Sequence, residues 1–227
     1  MSAVRVVAAA SPRAAADRGR LVVVPLFSLL LVANVVVFAG SVRQTRSSAF
    51  AAGVNLVATT LIVTFYVVVI SAYLRRGPAT ASTSSWTARV AAAVATGLPM
   101  LLPLIGRGRG TSLGHDVLGS ALIVFGLAWS VWSLKSLGTN VSVIAQVRRL
   151  ASSGPYRWVR HPVYLGELVT ALGIAVRGAA LGGFLLWLAL LGLQAYRAVV
   201  EERLLRDRQP GYSDYCCGTA RFLPGLF

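Results

Sequence analysis

The sequence predicts an all-α fold, a polytopic transmembrane bundle of about six helices that includes a C-terminal helical hairpin. Three observations predict it. Of 227 residues, 56% are hydrophobic before glycine is counted and only 13% are charged, whereas soluble domains run at about 45–50% apolar with glycine included and about 25% charged. The mean hydropathy is +0.70. The apolar residues also gather into runs long enough for helices to cross roughly 30 Å of hydrocarbon. This composition excludes a soluble enzyme and a disordered chain and, despite a formal net charge of +15, a nucleic-acid-binding scaffold.

Four runs, 21–40, 49–74, 88–105 and 117–134, each reach or approach the roughly 20 residues that a spanning helix needs. The first is longer than the apolar segment of a secretory signal, and its Ala-rich pieces precede the run instead of following it, so it reads as a retained anchor. Two more runs, 162–176 and 179–196, are separated only by Arg177 and Gly178; at ~1.5 Å per residue they form a tight hairpin. Asn34, Asn55, Thr59, Thr60 and Thr64 are expected to bond between helices, and Pro25, Pro99 and Pro103 to kink them. No inverted repeat of the transporter kind is visible.

Six helices put both termini on one side. The segments 1–20, 75–89, 135–161 and 197–227 hold 17 of the 22 Arg and Lys, and Arg43, Arg46, Arg107, Arg109 and Arg177 are left for the other side. By the positive-inside rule the first set is cytoplasmic, which makes this a multi-pass protein, of the bacterial cell membrane, with both termini in the cytoplasm. Cys216 and Cys217 are adjacent and read as reduced thiols. His115 and His161 fall on opposite sides, so no metal site is expected.

The chemistry-bearing residues crowd into the last third, so the chain divides into N-terminal transmembrane helices over 1–134 and a catalytic region over 135–227. In SSGPYRWVRHPVYLGE, residues 152–167, Gly154 and Pro155 make a turn, and Pro162 suits the first helical position, which puts His161 near the N-cap. Helix-start amides with Arg157 and Arg160 beside them form a site for an anionic group. The alternative is an interfacial anchor with an aromatic belt of Tyr156, Trp158 and Tyr164. At the end of the sixth helix, Arg197 and Glu201 are four apart and share a face. Glu202 is turned about 100° away. Glu167, in the second turn of helix five, is explained by the nearby helix N-terminus and is left out of the site.

These blocks carry a family likeness. GPYRWVRHPVYLG (154–166), EERLL (201–205) and YSDYCCGTARFLP (212–224), with LKSLGTNVS (134–142) upstream, resemble the isoprenylcysteine carboxyl methyltransferase family of integral membrane enzymes, which also groups with phospholipid methyltransferases. The likeness covers about 90 residues. It implies a cytosolic pocket for S-adenosylmethionine, leaving S-adenosylhomocysteine as product, lined by Arg148, Arg149, Leu150, Ala151, Tyr156, His161, Pro162, Val163, Tyr164 and Glu201. It also implies that Arg197 is the catalytic and substrate-binding residue that holds the reacting end of the acceptor. Gly218, Thr219 and Ala220 stand where related chains carry Arg-Val-Pro, a departure at the substrate end.

The implied reaction is methyl transfer to a lipophilic, isoprenylcysteine-like carboxylate arriving from the bilayer. An ionised acid needs alignment in a dry site and no base. An amine acceptor, as in phospholipid N-methylation, needs a proton outlet, for which Glu201 or Glu202 is the candidate. Two further alternatives are an NADPH-dependent membrane reductase and a non-enzymatic channel or transporter subunit. The partners expected are membrane lipids and a lipophilic or prenylated substrate, with no nucleic acid.

Overall fold

The computed structural model describes residues 7–8, 18–44, 49–77, 79, 81–100 and 112–223. Arg46, Pro103, Arg107, Arg109, Pro224 and the far end of the third expected span lie outside the described residues. Within them the fold is nearly all-α: α1 (Arg18–Gln44), α2 (Ala49–Arg75), α3 (Trp86–Gly97), α4 (Leu113–Leu137), α5 (Pro162–Gly178), α6 (Leu181–Arg208) and a short α7 (Tyr212–Gly218).

Four of these helices, α1, α2, α4 and α6, are long and apolar enough to cross a membrane. Protein covers only 11% and 6% of the apolar windows of α1 and α2, so most of that surface needs lipid against it. The third expected span is shorter in the described residues than the sequence predicts. α3 ends at Gly97 in a 3-10 turn over Leu98–Met100, which contains Pro99, and its twelve residues amount to roughly 18 Å. The hairpin turn falls two residues later than expected, at Ala179 and Ala180, with Ala179 in the left-handed region at φ 46°.

α4 and α5 pack backbone to backbone. A methyl group added at Gly166 would overlap the Ser130 hydroxyl and lie 2.8 Å from the Gly126 carbonyl oxygen. One added at Gly173 would lie 2.6 Å from the Gly119 oxygen and 2.8 Å from the Ile123 amide nitrogen. Small residues permit this approach where lipid gives apolar side chains no reason to leave it. Around the pair, Val23 and Phe27 of α1, Val69, Ala72 and Tyr73 of α2 and Leu134 of α4 form one cluster. On the other side Ala95 of α3 meets Leu168, Ala171 and Leu190. Asn34 does reach α2, through the Tyr66 hydroxyl at 3.4 Å. Thr60 and Thr64 instead turn back onto Leu56 and Thr60 of their own helix.

A small antiparallel sheet, absent from the sequence expectation, ties distant segments together: β1 (Val7–Ala8), β2 (Ala81–Ser82) and β3 (Gln146–Val147). The end of α2 fixes the same connector. The Tyr73 hydroxyl accepts the Val143 amide at 2.7 Å. The buried Arg76 donates to the Val141 carbonyl at 2.8 Å, with its guanidinium 3.5 Å above the Tyr73 ring. The N-terminal helices thereby position the chain that leads into the site.

Candidate functional site

A cleft of about 490 Å³, its open mouth included, lies at the charged ends of α4 and α6. Leu137 and Asn140 come from the end of α4 and the turn that follows. Gln146, Arg148, Arg149, Leu150 and Ala151 come from the connector, Tyr156, Arg160 and His161 from the turn before α5, Glu201 and Leu205 from α6, and Tyr212 and Tyr215 from α7. Seven of the residues expected at the cofactor, Arg148, Arg149, Leu150, Ala151, Tyr156, His161 and Glu201, thus line one cavity.

Pro162, Val163, Tyr164 and Arg197 lie behind its wall. Pro162 is fully buried at the start of α5, and Val163 packs against the α1–α2–α4 cluster. Tyr164 stacks on His161, ring planes 6° apart and centroids 5.2 Å apart. Its hydroxyl donates to Glu201 Oε2 at 2.9 Å. Arg197, also buried, holds its guanidinium 4.6 Å from the centre of the Tyr164 ring. It donates to the Gln194 Oε1 and to the Val143 carbonyl, each at 2.9 Å. Arg197 and Glu201 therefore bracket Tyr164.

The two neighbouring glutamates have opposite fates. Glu201 opens to the cleft with its side chain 29% exposed, whereas Glu202 is 1% exposed. Glu202 Oε1 accepts from Arg160 Nε at 3.0 Å, His161 Nε2 at 3.2 Å and Arg221 Nε at 2.9 Å. Its Oε2 accepts from Arg221 Nη2 at 2.9 Å and Arg206 Nη2 at 3.4 Å. A carboxylate with this many donors is a cross-link between α6, the start of α5 and the tail. It is not poised to take a proton from an amine.

The anion site expected at the start of α5 is modified by the same tail. The amides of Arg160 and His161 donate to Ala220 and Arg221 carbonyls at 2.8 and 3.2 Å, and Val159 forms a parallel bridge with Ala220. The Arg160 guanidinium is spent on Glu202 and on the Cys216 and Thr219 carbonyls. Arg157 lies over Trp158, 4.0 Å from its ring centre. Arg149, exposed among the cleft-lining residues, is the cation that faces solvent there. Thr219 and Ala220, within the departure noted in the sequence, contribute carbonyls to this attachment beside the Arg221–Glu202 pair.

Asn140, Gln146, Tyr212 and Tyr215 were not singled out by sequence reasoning, although the segments that carry Asn140, Tyr212 and Tyr215 were. Tyr215 donates to the Tyr156 carbonyl at 2.6 Å and so closes α7 over the cleft. Burial pushes the Tyr215 phenol up to about 12, with Arg160 pulling the other way. Burial and then the negative charge of Glu201 raise Tyr156 well above the ordinary value, and burial followed by Glu202 raises Tyr212. All three present neutral rings.

Residues 115–208 match the phospholipid methyltransferase family profile, a stretch that runs from α4 through α6. That stretch of the chain, and no more of it, is similar to phospholipid methyltransferases. Phosphatidylethanolamine N-methyltransferase B of Dictyostelium discoideum is 31% identical over 75 residues, 31% of this chain and 38% of that protein. The cobalt-zinc-cadmium resistance protein CzcN of Cupriavidus metallidurans is 30% identical over 112 residues, 48% of each. The chain thus spans less than half the length of the curated relatives it matches. The solved structure of the eukaryotic intramembrane Ras methyltransferase ICMT (isoprenylcysteine carboxyl methyltransferase) aligns over 92% of this chain and 94% of its own, at 17% identity and a TM-score of 0.49.

Proposed function

We propose that this chain is an integral membrane methyltransferase that binds S-adenosylmethionine in the cleft and methylates a lipophilic, isoprenylcysteine-like carboxylate entering from the bilayer. The observation that carries this reading is the polar stripe between α5 and α6. His161, Tyr164 and Glu167 on one helix face Glu201, Arg197 and Gln194 on the other. The stripe begins at the cleft and runs toward the apolar part of the hairpin. A donor from water and an acceptor from lipid would meet along it.

The donor set fits the cofactor. Glu201 offers a half-open carboxylate to an ammonium group. Arg149 can take a carboxylate at the rim. Tyr156, Tyr212 and Tyr215 offer aromatic walls to an adenine or a sulfonium. S-adenosylmethionine supplies an electrophilic methyl carbon with a neutral thioether as leaving group. Arg197 orients the acceptor's carboxylate through the guanidinium N–H groups that Gln194 and Val143 leave over, and the buried surroundings keep water from competing. In this reading residues 135–227 are the catalytic region, 1–134 anchor and shape it, and both the cleft and the termini face the cytoplasm.

The likeness to a phosphatidylethanolamine N-methyltransferase favours a second acceptor, a phospholipid amine. With Glu202 locked in its cross-link, Glu201 would then be the proton outlet.

Calorimetric titration of the detergent-purified protein with S-adenosylhomocysteine and, separately, NADPH tests the cofactor. Binding of the first alone is expected, weakened about tenfold or more in Glu201→Ala, as befits loss of a charge-assisted hydrogen bond. Arg197→Ala is expected to spare that affinity while ending transfer of labelled methyl to N-acetyl-S-farnesylcysteine. Transfer to phosphatidylethanolamine alone would select the amine reading, and binding of NADPH alone would overturn both.

A further inference from the structure

The reading above assigns no task to Glu167, yet this carboxyl is held in a specific chain of contacts. Its Oε2 accepts from Gln194 Nε2 at 2.6 Å, and Gln194 Oε1 accepts from Arg197 Nη1 at 2.9 Å. Gln194 is fully buried and Arg197 nearly so. Glu167 stands three residues beyond Tyr164 on α5, and Gln194 three residues before Arg197 on α6, so each pair shares a helix face. The four side chains form two adjoining rungs of the stripe.

The chemistry of the ends fixes the middle. A carboxylate only accepts and a guanidinium only donates. A primary amide between them satisfies both in one orientation, nitrogen toward the acid and oxygen toward the arginine. Turned over, it would set its NH₂ against the guanidinium and its oxygen against the carboxylate, and it has no solvent to relax into. An apolar side chain at 167 would remove the bias, and Gln194 would no longer have to present its oxygen to Arg197. The guanidinium would then be held by the Val143 carbonyl and the Tyr164 ring alone.

We propose that Glu167 is a positioning residue for Arg197, acting through the Gln194 amide to keep the guanidinium turned so that its remaining N–H groups face the acceptor. This rests on the assignment of Arg197 to the acceptor. The device is an orienting hydrogen bond, so a neutral acceptor at 167 can serve in place of the carboxylate. Glu167→Gln retains a carbonyl oxygen for Gln194, and Glu167→Met fills similar space with nothing to accept.

The test is the rotation of the Arg197 guanidinium, which is readable whatever the acceptor is. In protein labelled with ¹⁵N-arginine in detergent, a guanidinium held at both Nη atoms gives separate Nη resonances. Arg197→Lys identifies the Arg197 set by its loss. Separate signals are expected in the wild type and in Glu167→Gln, and a coalesced pair in Glu167→Met. If Glu167→Met fails to fold, Gln194→Met makes the same prediction from the other side. Unchanged Arg197 signals in the Met variants would overturn the proposal, and so would coalescence in Glu167→Gln. Titration with S-adenosylhomocysteine runs alongside, and affinity within about threefold of wild type is expected in both Glu167 variants. Failure of the wild type to bind would sink the donor reading and leave the positioning result intact; loss of binding confined to the Glu167 variants would overturn the positioning role.

Discussion

Replacing Glu202 by Gln probes the cross-link on which the cleft depends. The substitution keeps volume and shape but removes the charge and exchanges one acceptor oxygen for a donor. Suppose the amide oxygen takes the place of Oε1. Arg160, His161 and one Arg221 nitrogen then keep an acceptor, and the amide NH₂ points at Arg221 Nη2 and Arg206 Nη2. Arg206, half exposed, turns to water at little cost, and Arg221, about one-third exposed, does so in part. Arg160 cannot, since its side chain is only 8% exposed.

The loss is that of a buried cation left without its counter-charge, for which removing one partner costs about 3–5 kcal/mol. Because Arg160 still bonds the Cys216 and Thr219 carbonyls, the low end, about 3 kcal/mol, is expected. For a chain of this size that corresponds to a fall in Tm of about 6–12 °C. Thermal unfolding in detergent, followed by tryptophan fluorescence, measures it, with proteolysis of the tail as a local readout. Arg206→Ala is the control, expected to change Tm by less than about 2 °C as an exposed pair would. A Glu202→Gln protein as stable as wild type, with its tail still protected, would refute the cross-link; if that protein had also lost S-adenosylhomocysteine binding, Glu202 would be a ligand group instead.

Three other outcomes are expected. Gly166→Ala places a methyl within 2.8 Å of the Gly126 oxygen and 3.0 Å of the Ser130 amide, and overpacking of this kind costs about 1–3 kcal/mol; a lowered Tm checks it, and Gly192→Ala, with open space at its Cβ, should show none of that loss. Ala179→Gly relieves a left-handed alanine at φ 46° and should raise Tm, the gain being about 1 kcal/mol. Tyr215→Phe deletes the donor to the Tyr156 carbonyl and should speed proteolysis within α7 while weakening S-adenosylhomocysteine, both read against wild type at equal protein concentration.

Much of the site's linear layout is legible in the chain. The spacing of His161, Tyr164 and Glu167, and that of Gln194, Arg197 and Glu201, follows the helix repeat, and Pro162 marks where α5 begins. The hairpin needs only a short break between two apolar runs. Helix periodicity also separates Glu201 from Glu202, but it does not say which faces the water. The local sequence does not announce that the tail, some sixty residues further on, engages Arg160 and the amides beside it. The link from Glu167 to Arg197 is not legible locally, because its partner Gln194 lies 27 residues away.

The sequence by itself determined that the chain lives in a membrane and roughly where its long apolar helices run. Hydropathy, helix repeat and turn residues are local, each expressed within a few positions of the residues that cause it. The tertiary structure alone decided which of the two glutamates opens to the cleft, that Tyr73 and Arg76 of α2 hold the connector, and that glycines let α4 and α5 touch. Those outcomes depend on atoms brought together from far along the chain. The burial and pairing of a charged group are set by whatever packing places beside it, and neither is a property of its neighbours in sequence.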